Sequence, residues 1–297
     1  MKTINTIARM STLAKMLRKE GKTVGFVPTM GYLHDGHISL VKAARKHTDV
    51  VVISVFVNPA QFGPKEDLEK YPRDPKRDET MSAQAGVDIM FCPTAKEMYP
   101  DGYSTYVAVE GVSQVMCGAS RPSHFRGVTT VVAKLFGIVK PDIAYFGQKD
   151  AQQAIIIKKM ASDLDMDIEI KVMPTVRERD GLAMSSRNTY LSEAERRDAV
   201  VLNQALKRAE SLVSAGEKKA AVIKEEIRKM IAETATAKID YIALVDPQDL
   251  KELETIGKEA LIALAVFFGR TRLIDNTIVH PRTFVEGNTC KGAGVKV

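Results

Sequence analysis

Two histidines three residues apart stand out as side chains suited to chemistry: His34 and His37, in the stretch Pro28-Thr29-Met30-Gly31-Tyr32-Leu33-His34-Asp35-Gly36-His37. The residues before them, Val24–Val27, read as a buried strand, and Pro28 and Gly31 mark the turn that ends it. From His37 the pattern is helical, with Leu40, Val41 and Ala44 on one face. A spacing of three places both imidazoles on neighbouring positions at a helix start. Free backbone N–H groups and the helix dipole favour an anion there, so the segment describes a phosphate site with two imidazoles able to donate to its oxygens. Taken alone, it also fits two surface histidines beside a turn.

Open α/β sheets bind ligands beyond the carboxyl ends of their strands, and three more polar segments follow strand-like runs. Asn58-Pro59-Ala60-Gln61-Phe62-Gly63 follows the apolar run Asp49–Val57. Gly147-Gln148-Lys149-Asp150 follows Asp142–Phe146, and Val176–Arg187 follows Ile168–Val172. Lys149 suits the neutralisation of a triphosphate. For Asp150 three readings stand: a plain helix N-cap, a ribose contact, or a magnesium ligand. Gln61 and Gln153 are uncharged amides suited to the hydroxyls or carboxylate of a small acid; singly, each also fits a satisfied surface side chain. Met184-Ser185-Ser186-Arg187 offers two hydroxyls, backbone N–H groups and a guanidinium to phosphate oxygens, and gains its weight from pairing with the histidines. His47 receives no role. His124, near Arg121 and Arg126, fits either the neighbourhood of the anion site or solvent.

The elements that must position these residues alternate. Strands at Val24–Val27, Asp49–Val57, Val87–Phe91, Asp142–Phe146 and Ile168–Val172 are separated by helices at Ile38–His47, Asp74–Ala85, Gly127–Val139 and Ala151–Leu164. This rhythm predicts an α/β fold, a doubly wound, Rossmann-like parallel sheet. The pattern then changes. Ser192 and Glu195 form a capping box, followed by one long helix from Glu193 to about Ala215, a second from Lys218 to Thr234, and strands at Ile239–Val245, Ala260–Phe268 and Arg272–Asn276. These predict a second, smaller α+β domain, with a boundary near Pro174–Val176 giving units 1–175 and 176–297. The tail from about Pro281 is expected to be loosely ordered.

Composition sets outer limits. A chain of 297 residues with 45% hydrophobic side chains can form a full core without disulfides or metals. Cys92, Cys117 and Cys290 are odd in number and lack metal-ligand spacing, which points to a reduced, cytoplasmic compartment. Met1–Lys22 has no apolar core of a signal peptide, and no run reaches the ~18 apolar residues of a membrane span. The net charge of +6 is dispersed, without a basic-aromatic array for nucleic acid. A mild positive field that attracts nucleotides and carboxylates is the simpler account.

The His-x-Gly-His turn and the later Met-Ser-Ser-Arg loop resemble the HIGH-motif nucleotidyltransferase superfamily. The closer resemblance is to the pantothenate synthetase (pantoate–β-alanine ligase) family. It rests on residues 28–37, on Phe56-Val57-Asn58-Pro59-Ala60-Gln61-Phe62, Tyr71-Pro72-Arg73, Phe146–Asp150 with Gln152-Gln153, Met184–Asn188 and Thr271-Arg272-Leu273-Ile274-Asp275-Asn276. The resemblance implies an ATP- and Mg2+-dependent ligase that joins pantoate to β-alanine through a pantoyl adenylate and releases AMP and pyrophosphate. It implies ATP contacts from Met30, Gly31, Tyr32, Leu33, His34, Asp35, Gly36 and His37, from Gly147, Gln148, Lys149 and Asp150, and from Val176, Met184, Ser185, Ser186 and Arg187. His37, His34 and Lys149 would be catalytic, and Gln61 and Gln153 would hold pantoate, with Gln61 also near β-alanine. Gln148 stands where relatives are expected to carry Glu. A homodimer built through the N-terminal unit is expected. Two rivals remain open from the residues: another nucleotidyltransferase with a phosphorylated second substrate, and a protein that senses nucleotides or binds nucleic acid without turnover.

Overall fold

The computed structural model describes residues 1–64 and 66–281, so the tail beyond Pro281 lies outside the described residues. Six strands form a parallel sheet: β1 (Lys2–Ile4), β2 (Val24–Thr29), β3 (Val50–Val55), β4 (Ile89–Phe91), β5 (Ile143–Gly147) and β6 (Glu169–Met173). Their spatial order is β1-β4-β3-β2-β5-β6. The chain therefore builds outward from β2 to β4 and returns to β5 on the other side of β2. The crevice beyond the carboxyl ends of β2 and β5 is the topological switch point, where such sheets bind ligands.

Helices α2 (Asp35–His47) and α3 (Pro75–Gln84) cover one face; α1 (Ile7–Lys19), α4 (His124–Val139) and α5 (Ala151–Asp163) cover the other. The stripe read from the sequence on α4, Val128, Val131, Val132, Leu135 and Phe136, is buried in full. Burial of such side chains contributes roughly 1.5–3 kcal/mol each, well above the ~1 kcal/mol of an N-cap. This outweighs the missing side-chain cap at Ser123. The glycine that begins the predicted stretch, Gly127, lies against the β3–α3 connection, where a Cβ would stand 2.2 Å from the Ala60 carbonyl oxygen.

Three features depart from the sequence reading. β1 and α1 precede the first strand it assigned. β1 has only three residues at the sheet edge, and α1 buries just Met10 and Ala14 fully, so neither produces a strong pattern. Helix α2 begins at Asp35, because His34 itself caps it. The long helix after Ser192 is two helices, α6 (Glu193–Asp198) and α7 (Val201–Ser214). At the break Leu202 N–H bonds back to Ala199 O at 3.3 Å, a tighter turn that no Gly or Pro announces. The capping box itself is present, with Glu195 N–H donating to Ser192 Oγ at 3.3 Å and Ser192 N–H to Glu195 Oε2 at 2.8 Å.

Strands β7 (Ala237–Val245), β8 (Ala260–Phe268) and β9 (Thr271–Val279) form an antiparallel sheet. Leu244, Ile262, Leu264 and Val266 pack against α7 and α8 (Ala220–Ala232). Ala243, Val245, Leu261 and Ala263 point the other way and join the apolar core under the large sheet. Burial on both faces explains why β8 reads as an unbroken apolar run.

Candidate active site

The turn after β2 needs backbone conformations that few residues adopt. Gly31 has φ +81° and Tyr32 +51°. A Cβ on Gly31 would also lie 2.8 Å from both Asp78 Oδ2 and Val55 Cγ1. Asp78, buried on α3, holds the turn by accepting Tyr32 N–H at 2.8 Å and Leu33 N–H at 2.7 Å. These bonds stabilise its ionised form, yet burial dominates and raises its pKa. The sequence reading missed Asp78, since a buried carboxylate on an otherwise polar helix leaves no pattern.

His34 and His37 form a reciprocal cap. His34 Nδ1 accepts Gly36 N–H at 3.1 Å, and His37 Nδ1 accepts His34 N–H at 3.3 Å. Their ring centroids are 4.0 Å apart. With each Nδ1 used as an acceptor, a neutral ring carries its proton on Nε2. Burial, reinforced by the charge of Lys149, lowers the His34 pKa to about 4. Burial, then His34 and Lys149, holds His37 well below its ordinary value. Both are neutral donors at neutral pH, leaving the positive charge to Lys149 and the arginines.

Across the crevice, Gly147 leads β5 into the turn Gln148–Asp150 and then α5. Gly147 has a φ of −89° and open space around a built Cβ, so the fold does not itself demand glycine there. Asp150 occupies the N-cap position of α5 but makes no side-chain cap bond. Its carboxylate lies 3.6 Å from Lys149 Nζ, and both line the cleft. The Gln148 side chain turns away and donates to Asn276 Oδ1 at 3.0 Å.

Gln61 sits in the turn Pro59–Gln61 with an orientation imposed from behind. Asn58 Oδ1 accepts from Tyr99 OH at 2.7 Å and Ala60 N–H at 3.3 Å, so its amide N–H groups face Gly127 O at 3.0 Å and Gln61 Oε1 at 3.1 Å. Gln61 Nε2 is left beside the Met30 sulfur at 3.0 Å, a weak acceptor. Its N–H groups are thus available to a stronger acceptor, such as a carboxylate. Gln153 lines the same cleft, whereas its neighbour Gln152 is buried and pins the segment Val112–Cys117. His124 lies in the cleft wall, with Nδ1 2.9 Å from Gln61 O; burial and then Arg121 lower its pKa to about 4.

The Met184–Arg187 segment follows a hairpin closed by Met184 N–H to Val176 O at 3.0 Å. Ser186 Oγ donates to Tyr32 O at 3.3 Å, which docks the segment on the histidine turn. Arg187 pairs with Asp67 through Nε and Nη2, each at 3.1 Å, near the Tyr71 ring. All of these elements surround one cleft of about 810 Å³. Met30, His34, His37, Gln61, Lys149, Asp150, Gln153 and Met184–Arg187 line it. Gly31, Tyr32, Leu33, Asp35 and Gly36 shape the turn instead: Leu33 is in the core and Asp35 is exposed. Val176 lies at the hairpin base. Asn58, Tyr71, Arg121 and His124 are cleft residues to which the sequence reading assigned no settled role. Among the described residues, no group of three or more His, Cys, Asp or Glu is arranged to hold a metal. No helix among them is long and apolar enough to cross a membrane.

The pantoate-beta-alanine ligase family model matches residues 2–278. A pantothenate synthetase of Moorella thermoacetica is 55% identical over 280 residues, covering 94% of this chain and 99% of the relative. A crystal structure of pantothenate synthetase from Thermus thermophilus superposes with a TM-score of 0.90 at 45% identity, covering 95% of this chain and 100% of that one. The Francisella tularensis pantoate-beta-alanine ligase, complexed with beta-gamma ATP and beta-alanine, has a TM-score of 0.78 at 35% identity, covering 93% and 97%.

Proposed function

The chain belongs to the pantoate–β-alanine ligase family, and on that premise we propose that its cleft joins the two substrates through a pantoyl adenylate. It is an ATP-dependent ligase that condenses pantoate with β-alanine. The observation that carries the residue-level reading is the convergence of two Nε2–H imidazoles, the Lys149 ammonium and the Gln61 amide donor on one cleft.

A carboxylate acylates an amine poorly at neutral pH. In the proposed route, a pantoate carboxylate oxygen attacks the α-phosphorus of ATP, and the bond to the β-phosphate oxygen breaks. Charge develops on the α-phosphoryl oxygens and the departing pyrophosphate. His34 and His37 donate to those oxygens through Nε2, and Lys149 supplies charge. Arg187 reaches phosphate once its pair with Asp67 is exchanged, while Ser185, Ser186 and backbone N–H groups complete the cradle. Gln61 and Gln153 hold the pantoate carboxylate or hydroxyls. The free amine of β-alanine then attacks the acyl carbon, and the acyl carbon–oxygen bond breaks so that AMP leaves with the bridging oxygen. The proton lost by the nitrogen passes to the departing phosphate or to water. No protein nucleophile is required.

Magnesium fits as an ion carried mainly by the triphosphate and water, with Asp150 as the cleft carboxylate able to add an oxygen; bound, it would neutralise phosphate charge. The same proposal includes a cytoplasmic location, a unit 1–175 that binds nucleotide and pantoate, and a unit 176–297 that closes over it. It also includes a homodimer, which a monomeric mass by light scattering at micromolar protein would refute. Product analysis tests the reaction: pantoate, β-alanine, ATP and magnesium should yield pantothenate, AMP and pyrophosphate. ADP and free phosphate as the products would exclude the adenylate.

A further inference from the structure

Strand β9 does more than close the small sheet. Successive side chains leave a strand by opposite faces, so adjacent residues can grip two different partners. Asp275, 1% exposed, accepts Arg177 Nη1 at 2.6 Å and Nη2 at 3.0 Å. Arg177 Nη1 also donates to Gly181 O at 3.1 Å, within the hairpin that leads into Met184–Arg187. Asn276, 5% exposed, donates through Nδ2 to the carbonyls of both Gln148 and Lys149 at 2.9 Å and accepts Gln148 Nε2 through Oδ1 at 3.0 Å. These three bonds use the carboxamide's two donors and one acceptor lone pair, and they fix its orientation.

We infer that Asn276 is a positioning residue for the proposed adenylation step: its carboxamide fixes the Gln148–Lys149 backbone so that the Lys149 ammonium is held at the phosphate side of the cleft. The inference rests on the role proposed for Lys149. The sheet's hold on this part of the chain ends at Gly147, the last residue of β5, which pairs with Met173; the turn Gln148–Asp150 that follows is only three residues long. Among the described residues the Lys149 side chain's ion pair is a long one with its neighbour Asp150, at 3.6 Å. The bonds from Asn276 therefore restrain the main chain that presents the ammonium. Because Asn276 and Asp275 sit on one strand, the Lys149 turn and the Arg177 hairpin are held in a common frame, though they come from different parts of the chain.

The test is a double-mutant cycle on pantoate-dependent exchange of pyrophosphate into ATP, using wild type, Asn276→Ala, Lys149→Ala and the double variant. Asn276→Ala is expected to lower kcat about tenfold or more, on the scale of a misplaced catalytic group, with KM for pantoate changed less than about twofold. In the Lys149→Ala background the same change should cost less than about twofold. A purely structural role would instead reduce the active fraction equally in both backgrounds, and such additivity overturns the inference. Wild-type turnover in Asn276→Ala with a crippled Lys149→Ala overturns the brace alone; wild-type turnover in Lys149→Ala overturns both the brace and the role assigned to Lys149. Thermal unfolding checks each variant. Should Asn276→Ala fail to fold, the cycle is read on Asn276→Asp, where an acceptor of the same size faces the two carbonyls.

Discussion

Lys149→Ala and His37→Ala are each expected to lower kcat by about 10²-fold or more, the scale on which loss of one preorganised donor acts. Each group faces the same cleft from opposite sides of the switch point, Lys149 after β5 and His37 at the start of α2. The cleft is partly enclosed, so a donor there interacts with developing charge more strongly than in water. Neither substitution should unfold the protein. Among the described residues the Lys149 ammonium pairs with Asp150, at 3.6 Å. His37 contributes one capping bond to His34 N–H, whose removal costs about 1 kcal/mol. The measurement is steady-state turnover, with thermal unfolding recorded for each variant. A folded variant with near wild-type kcat would show that its residue is a neighbour of the chemistry and not a participant.

Acid should destabilise the protein strongly. The unfolded chain protonates its histidines near 6.5, whereas burial holds His34 and His124 neutral in the folded chain down to about 4. His37 is shifted in the same direction. Between those values the unfolded state binds more protons, so stability falls as pH drops from about 6.5 to 4 and is unaffected by these groups above that window. Each of His34 and His124 can contribute up to about 3 kcal/mol, because every tenfold loss of proton affinity on folding is worth about 1.36 kcal/mol. Urea unfolding from pH 7 to pH 4 measures the loss, and NMR of the imidazole carbons assigns it. A flat stability profile, or histidines that titrate near 6.5 in the folded protein, would contradict this origin of acid sensitivity.

Much of the framework was legible because its signals are local. The run Val50–Val55 is covered on both faces, α4 carries a full apolar stripe, and Ser192 with Glu195 marks a helix start. The polar turns at strand ends exposed the cleft for the same reason, since a buried sheet leaves its ligand chemistry in the loops. What was not legible depends on partners distant in sequence. Asp78 clamps a turn 45 residues away, and the Asn276 carboxamide reaches a turn 127 residues away. Nothing near either residue signals those bonds. The neutral state of His34 and His37 also required the fold, because burial and mutual contact, not spacing, set their protonation. The break between α6 and α7 occurs without Gly or Pro, so periodicity could only read one helix.

The central claim is attack by the pantoate carboxylate on the α-phosphorus. It is tested most directly by supplying pantoate with a heavy-oxygen label in its carboxylate and weighing the products of one turnover with ATP, magnesium and β-alanine. One labelled oxygen should appear in AMP and the other should remain in the amide carbonyl of pantothenate. Unlabelled AMP, with the label in inorganic phosphate or released to water, would contradict the account.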